Sequence, residues 1–256
     1  GTHLYFWGYR MLMAWDLVEE GEVLSDEDRL KMTNALYNIV RWASNLSYYR
    51  LKSVDEVAQQ QNHQSFAALT VFSGARYFKK HYGLADFDRH APIADRILKL
   101  HARSYKPNDN AGTGYVWLTP GHIIKYGAMT GDLKFLEDGH LKRLVDSTIL
   151  TTDSLGDDVS YGDVGAYRAS RQSRPSGLQA LSTAAWFYND GRYRWAYDWY
   201  KKGIEWEDSF RAGTSWGIGG WEVYDGFFFR DIKPVEPKDL LGAKAALLDG
   251  AAYRLL

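Results

Sequence analysis

The chain has 256 residues, 45% hydrophobic and 25% charged, enough to bury a substantial core as one large domain or two small ones. Its net charge of −1 supplies no basic field that would argue for nucleic acid, and no apolar run approaches the roughly 18 residues of a membrane span. With no cysteine it has neither disulfides nor thiolate metal sites, and no cofactor is implied.

Leu4 to Val18 already reads as helix. With Gly1 as first residue and turn chemistry at Asp249-Gly250, the ends look like cuts in a longer chain. Tight helix-to-helix breaks are expected at Glu20-Gly21, Tyr82-Gly83, Thr130-Gly131 and Asp190-Gly191, with glycine as the usual residue past a helix end. The glycines are 62, 48 and 60 residues apart. Each break precedes another helical pattern. The clearest is Ser25-Asp26-Glu27-Asp28, a near capping box, leading into Leu30, Ala35, Leu36, Ile39, Val40 and Ala43. Phe66 to Tyr82, Ile93 to Leu100, Phe135 to Ile149 and Tyr193 to Ile204 follow.

Between them run longer connections rich in Gly, Asp, Ser, Arg and aromatics: Leu46 to Gln61, Ser104 to Gly114, Asp153 to Ser176 and Ser209 to Gly220. Alternating short turns and loaded loops predict an all-α array of antiparallel helical hairpins with a period of roughly 50–60 residues, an incomplete (α/α) toroid over residues 1–220. In such an array the long loops share one end, and function belongs there. Trp221 to Arg230 is β-prone and Pro234 and Pro237 follow, so residues 221–256 read as a linker or the start of a β-sheet domain.

The candidate site starts at Asn62-His63, where a polar cluster meets an apolar-periodic stretch. An amide and an imidazole there can face one cavity beside unpaired backbone N–H groups. The structural reading of the same pair is an N-cap with a surface histidine. The next loop, Pro107 to Trp117, carries glycines before Tyr115 and leads to His122; its structural reading is a turn with Tyr115 and Trp117 packed as a lid on the core. The third loop holds Tyr161, Tyr167, Arg168, Arg171 and Arg174, whose guanidinium groups suit carboxylate or sulfate, or else pair with the loop's own aspartates. Trp216, Trp221 and Tyr224 in the fourth are stacking platforms or packing residues. The same ambiguity covers most of the 10 Trp, 18 Tyr and 11 Phe.

Asn62-His63 at a helix start, a loop Tyr115 53 residues on, and repeated helical hairpins together resemble the toroid domain of heparinase II/III-like and alginate-lyase-like polysaccharide lyases. The resemblance implies a secreted or periplasmic lyase that cleaves an acidic, uronic-acid-containing polysaccharide by β-elimination. It implies Asn62 as the group that neutralises the sugar carboxylate, His63 as base and Tyr115 as acid or acid/base. Trp117, His122, Tyr161, Tyr167, Arg168, Arg171, Arg174 and Trp216 would then bind substrate, and Tyr161 and Tyr167 compete with Tyr115 for the tyrosine role. A family histidine from a following β-domain has no counterpart assigned here.

Two other functions fit the same residues. A glycoside hydrolase would pair carboxylates among Asp109, Asp157, Asp158 and Asp163. A glycan-binding helical-repeat protein would use the rim aromatics and arginines without turnover.

Overall fold

The computed structural model describes residues 4–46, 54–104, 114–152, 174–205, 231–238, 245–248 and 251–254. These are predominantly α-helical, and none of the described helices is long and apolar enough to cross a membrane. The chain divides into two compact units, Gly1–His101 and Ala102–Leu256.

The first unit contains α1 (Tyr5–Val18), α2 (Asp26–Ser44), α3 (Asn62–Tyr82) and α4 (Ala91–His101). The start of α2 follows the sequence signal. Ser25 Oγ accepts from the Asp28 N–H at 3.1 Å, and Asp26, Glu27 and Asp28 place negative charge at the positive end of the helix dipole. The central element is α3, which packs against α1, α2 and α4. It is buried almost all round from Asn62 to Ala75, as a helix with neighbours on three sides must be. Leu12, Trp15, Leu36, Val40, Ala75, Tyr77, Phe78 and Phe87 form the core at its C-terminal half.

Two glycines let the helices approach. A Cβ at Gly8 would stand 2.4 Å from Thr70 Cγ2, and one at Gly74 would stand 2.4 Å from Val40 Cγ2. α3 ends as the sequence predicts: Gly83 adopts φ 66°, its N–H bonds the Lys79 carbonyl, and the Leu84 N–H bonds the Phe78 carbonyl.

The second unit contains α5 (Gly114–Thr130), α6 (Lys134–Glu137), α7 (His140–Thr151), α8 (Arg174–Tyr188) and α9 (Gly191–Glu205). The single helix expected over Phe135 to Ile149 is two, because Gly139 at φ 75° turns the chain between them. α8 and α9 pack together across a short turn, and α5 and α7 pack on α8. Trp117, Phe135, Leu141, Leu144, Leu181 and Tyr193 are among the residues of this core.

The break at Asp190-Gly191 works differently from its reading in sequence. Asn189 is the left-handed residue, with φ 50°. Gly191 instead starts α9 where a second chain segment lies close: its carbonyl accepts from the Val235 N–H at 2.9 Å, and a Cβ would stand 2.3 Å from the Lys233 carbonyl oxygen. Glu20-Gly21 is a turn with no left-handed residue. Near the end of the chain, β1 (Ala245–Leu248) pairs antiparallel with β2 (Ala251–Arg254), with Ala245 opposite Arg254. The β-prone run Trp221 to Arg230 lies outside the described residues.

Candidate functional site

α3 begins at Asn62, where the sequence places a helix mouth. Its N-cap residue, Gln61, is extended and makes no side-chain cap bond. Other groups hold this end. Gln64 reaches back, its Oε1 accepting from the Gln60 N–H at 2.9 Å and its Nε2 donating to the Ala58 carbonyl at 2.9 Å. This resembles a capping box, in which a Gln in the first turn satisfies a backbone N–H ahead of the helix. Ser65 Oγ donates to the Asn62 carbonyl at 2.9 Å.

His63 is half-buried under the first turn of α1. Its Nδ1 lies 2.6 Å from the hydroxyl of Tyr5, a residue buried on the opposing helix. The ring of Phe6 meets the imidazole edge-on at a centroid distance of 4.8 Å, and Phe6 in turn lies 4.7 Å from Phe66. Trp42 of α2 lies 5.2 Å from the Tyr5 ring.

The register of this contact is fixed two turns further along α3. There the Thr70 hydroxyl donates to the Tyr5 carbonyl at 2.9 Å and accepts from the Tyr9 N–H at 3.1 Å. One residue, Tyr5, is thus tied to α3 by both its side chain and its backbone. A phenol hydrogen-bonded to an imidazole is chemically a proton-handling pair. The phenol oxygen can accept from Nδ1–H, which leaves Nε2 as the basic nitrogen, or donate to Nδ1, which makes Nε2 the proton carrier.

Asn62 is only 3% exposed, so the amide assigned to neutralising a sugar carboxylate sits inside the helix mouth. Tyr115 is the second residue of α5 and Arg174 the first of α8; their side chains lie outside the described residues. Tyr161, Tyr167, Arg168, Arg171 and Trp216 lie outside them as well, with Asp109, Asp157, Asp158 and Asp163.

Trp117 and His122, expected to line a substrate groove, are both buried. Trp117 is 0% exposed within the core of the second unit, against Gly177 and Tyr200, and His122 is 2% exposed. An indole with no exposed face cannot stack on a sugar ring, so the lid-on-core reading of Trp117 is the one its burial fits. His122 belongs to a buried polar stripe on α5 with Thr119 and Lys125, and the Lys125 ammonium donates to Gln179 Oε1 of α8 at 2.8 Å.

Sequence reading missed Tyr5, Gln64 and His101 at the first site. Tyr5 sits in a helix whose apolar residues surround it on all sides, so nothing local marks it as polar machinery. Gln64 carried a signal: it falls three residues after the N-cap, the capping-box position. His101 ends α4 and carried none. Among the described residues no three His, Asp or Glu side chains are grouped to hold a metal ion. No family model, curated protein or solved structure matches this chain.

Proposed function

We propose that this chain is a lyase that cleaves a uronic-acid-containing polysaccharide by β-elimination, with His63 as the proton acceptor. The observation that supports this reading is the 2.6 Å Tyr5–His63 hydrogen bond at the mouth of α3. It supplies an oriented, half-buried imidazole beside the positive end of a helix dipole that suits a carboxylate.

In the proposed reaction His63 Nε2 removes the proton next to the uronate carboxylate. The electron pair left on that carbon forms the new carbon–carbon double bond, the glycosidic C–O bond breaks, and the leaving oxygen takes a proton. Neutralising the carboxylate matters most as negative charge develops in the transition state. The N-terminus of α3 supplies positive potential for that part, and Asn62, 3% exposed, contributes by holding this helix end rather than by direct contact. The resemblance to the lyase family assigns the acid to Tyr115, a residue of the second compact unit. Tyr5 holds the His63 ring through Nδ1, and the arrangement in which the phenol oxygen accepts from Nδ1–H is the one that leaves Nε2 basic.

The test is ultraviolet absorbance of unsaturated uronate when the full chain meets a panel of uronate polymers. His63→Ala should lower turnover by about 10²–10⁴, the usual contribution of a positioned proton-transfer group. Tyr5→Phe should lower kcat with KM little changed. Undiminished turnover in His63→Ala removes His63 from the mechanism. New reducing ends without absorbance assign the chain to hydrolysis by the loop aspartates instead, and binding without any cleavage assigns it to glycan recognition.

A further inference from the structure

His101, the last residue of α4, is 2% exposed and bonded through both ring nitrogens. Its Nε2 lies 3.1 Å from Gln64 Oε1, and its Nδ1 lies 3.3 Å from Gln59 Nε2. The network leaves one consistent assignment of protons. Gln64 Nε2 donates to the Ala58 carbonyl, so its Oε1 faces the Gln60 N–H and His101. An amide oxygen only accepts, so His101 Nε2 carries the proton. His101 Nδ1 is then the acceptor for the Gln59 amide. The ring is neutral, and burial pulls its pKa down to about 4.

This ring of bonds encloses the approach to α3. It holds the Ala58 carbonyl, the Gln59 side chain and the Gln60 N–H from two directions, Gln64 within α3 and His101 from α4. Gln61 makes no side-chain cap bond, so the usual device that fixes where a helix begins is missing here.

We infer that Gln64 and His101 are the positioning residues of the α3 mouth: they fix the Ala58–Gln61 approach in place of a capping side chain and so set where His63 presents its ring. Its catalytic consequence rests on the proposed role of His63. The geometry itself does not, and is tested without turnover.

The experiment is nitrogen-15 NMR of the histidine rings in the full chain, with His63→Gln to assign the His63 signals, applied to Gln64→Leu and His101→Phe. Helical content by circular dichroism reports folding. Both variants should retain helix while the His63 ring-nitrogen signals move, because the first turn of α3, which carries the ring, is no longer held by the Ala58–Gln61 approach. Loss of packing elsewhere would leave those signals in place. Unmoved His63 signals in the two folded variants overturn the inference.

If a variant does not fold, the unaltered chain decides. A neutral His101 carrying its proton on Nε2, with slow amide exchange at Gln60, upholds the inference; a proton on Nδ1 or fast exchange at Gln60 overturns it. On a uronate polymer, Gln64→Leu should lower kcat about 10²-fold with little change in KM, as expected for misplacement of a reacting group. Movement of the His63 signals in a chain without lyase activity would refute the lyase reading and leave the positioning role intact.

Discussion

Gly8→Ala tests whether α1 and α3 are locked as closely as the Tyr5–His63 bond requires. The added Cβ would stand 2.4 Å from Thr70 Cγ2, 2.9 Å from Thr70 Oγ1 and 3.0 Å from Ile39 Cγ2. Thr70 has no surface exposure and cannot move outward. Rotating its methyl aside would carry the hydroxyl off the Tyr5 carbonyl and the Tyr9 N–H, two hydrogen bonds worth about 1 kcal/mol each net. Keeping its rotamer would push α1 away from α3, and overpacking of this kind costs about 1–3 kcal/mol. Against either route stands a gain of about 1 kcal/mol for replacing a glycine inside a helix. The expected net is a destabilisation of about 1 kcal/mol.

A double-mutant cycle makes the argument specific. Thr70→Ser removes the Cγ2 atom at 2.4 Å and keeps the hydroxyl. In that background Gly8→Ala should cost about 1 kcal/mol less, a coupling typical of residues in contact. The assay is urea unfolding of the four proteins, read by amide exchange in α1 and α3 so that the first compact unit is followed by itself. Gly8→Ala as stable as the unaltered chain, or an equal cost in both backgrounds, refutes the close-packing argument. Gly8→Ala should also shift the Tyr5–His63 pair and lower any turnover that depends on it.

His101 makes stability depend on pH. Its pKa falls from the ordinary 6.5 when unfolded to about 4 when folded, so the folded state disfavours the charged ring. The contribution is complete above about pH 6.5 and is lost as pH falls through the folded value near 4; the shift corresponds to about 3 kcal/mol. Unfolding free energies measured from pH 7 to 4 should fall more steeply for the unaltered chain than for His101→Phe, and parallel curves would contradict the network as drawn. Ser25→Ala should cost about 1 kcal/mol by removing the cap on the Asp28 N–H and the bond the hydroxyl donates to the Asp28 carboxylate, measurable by denaturant unfolding, with Ser25→Thr close to neutral. Full loss of stability in Ser25→Thr would show that these two hydroxyl bonds are not what holds the start of α2.

The sequence by itself determined the features that depend on neighbours along the chain. The cap at Ser25, the helix start at Asn62, the left-handed Gly83 and the helical class follow from backbone geometry and hydrogen bonds spanning a few residues, which local residue types report directly. Even locally, a glycine has more than one use: Gly191 provides room for the Lys233–Val235 segment, and the turn before it rests on Asn189.

Only the tertiary structure decided which side chains meet. Tyr5 reaches His63 across 58 positions, His101 reaches Gln64 across 37, and Gly8 admits Thr70 across the same α1–α3 contact. Periodicity marks which face of a helix is apolar, but not its partner, its register or its distance. For the same reason Trp117, chosen in sequence for its aromatic character beside a glycine-rich loop, lies in the core, and Asn62 sits within the helix mouth. Burial is a property of what packs on top of a residue, and that is set by helices distant in the chain.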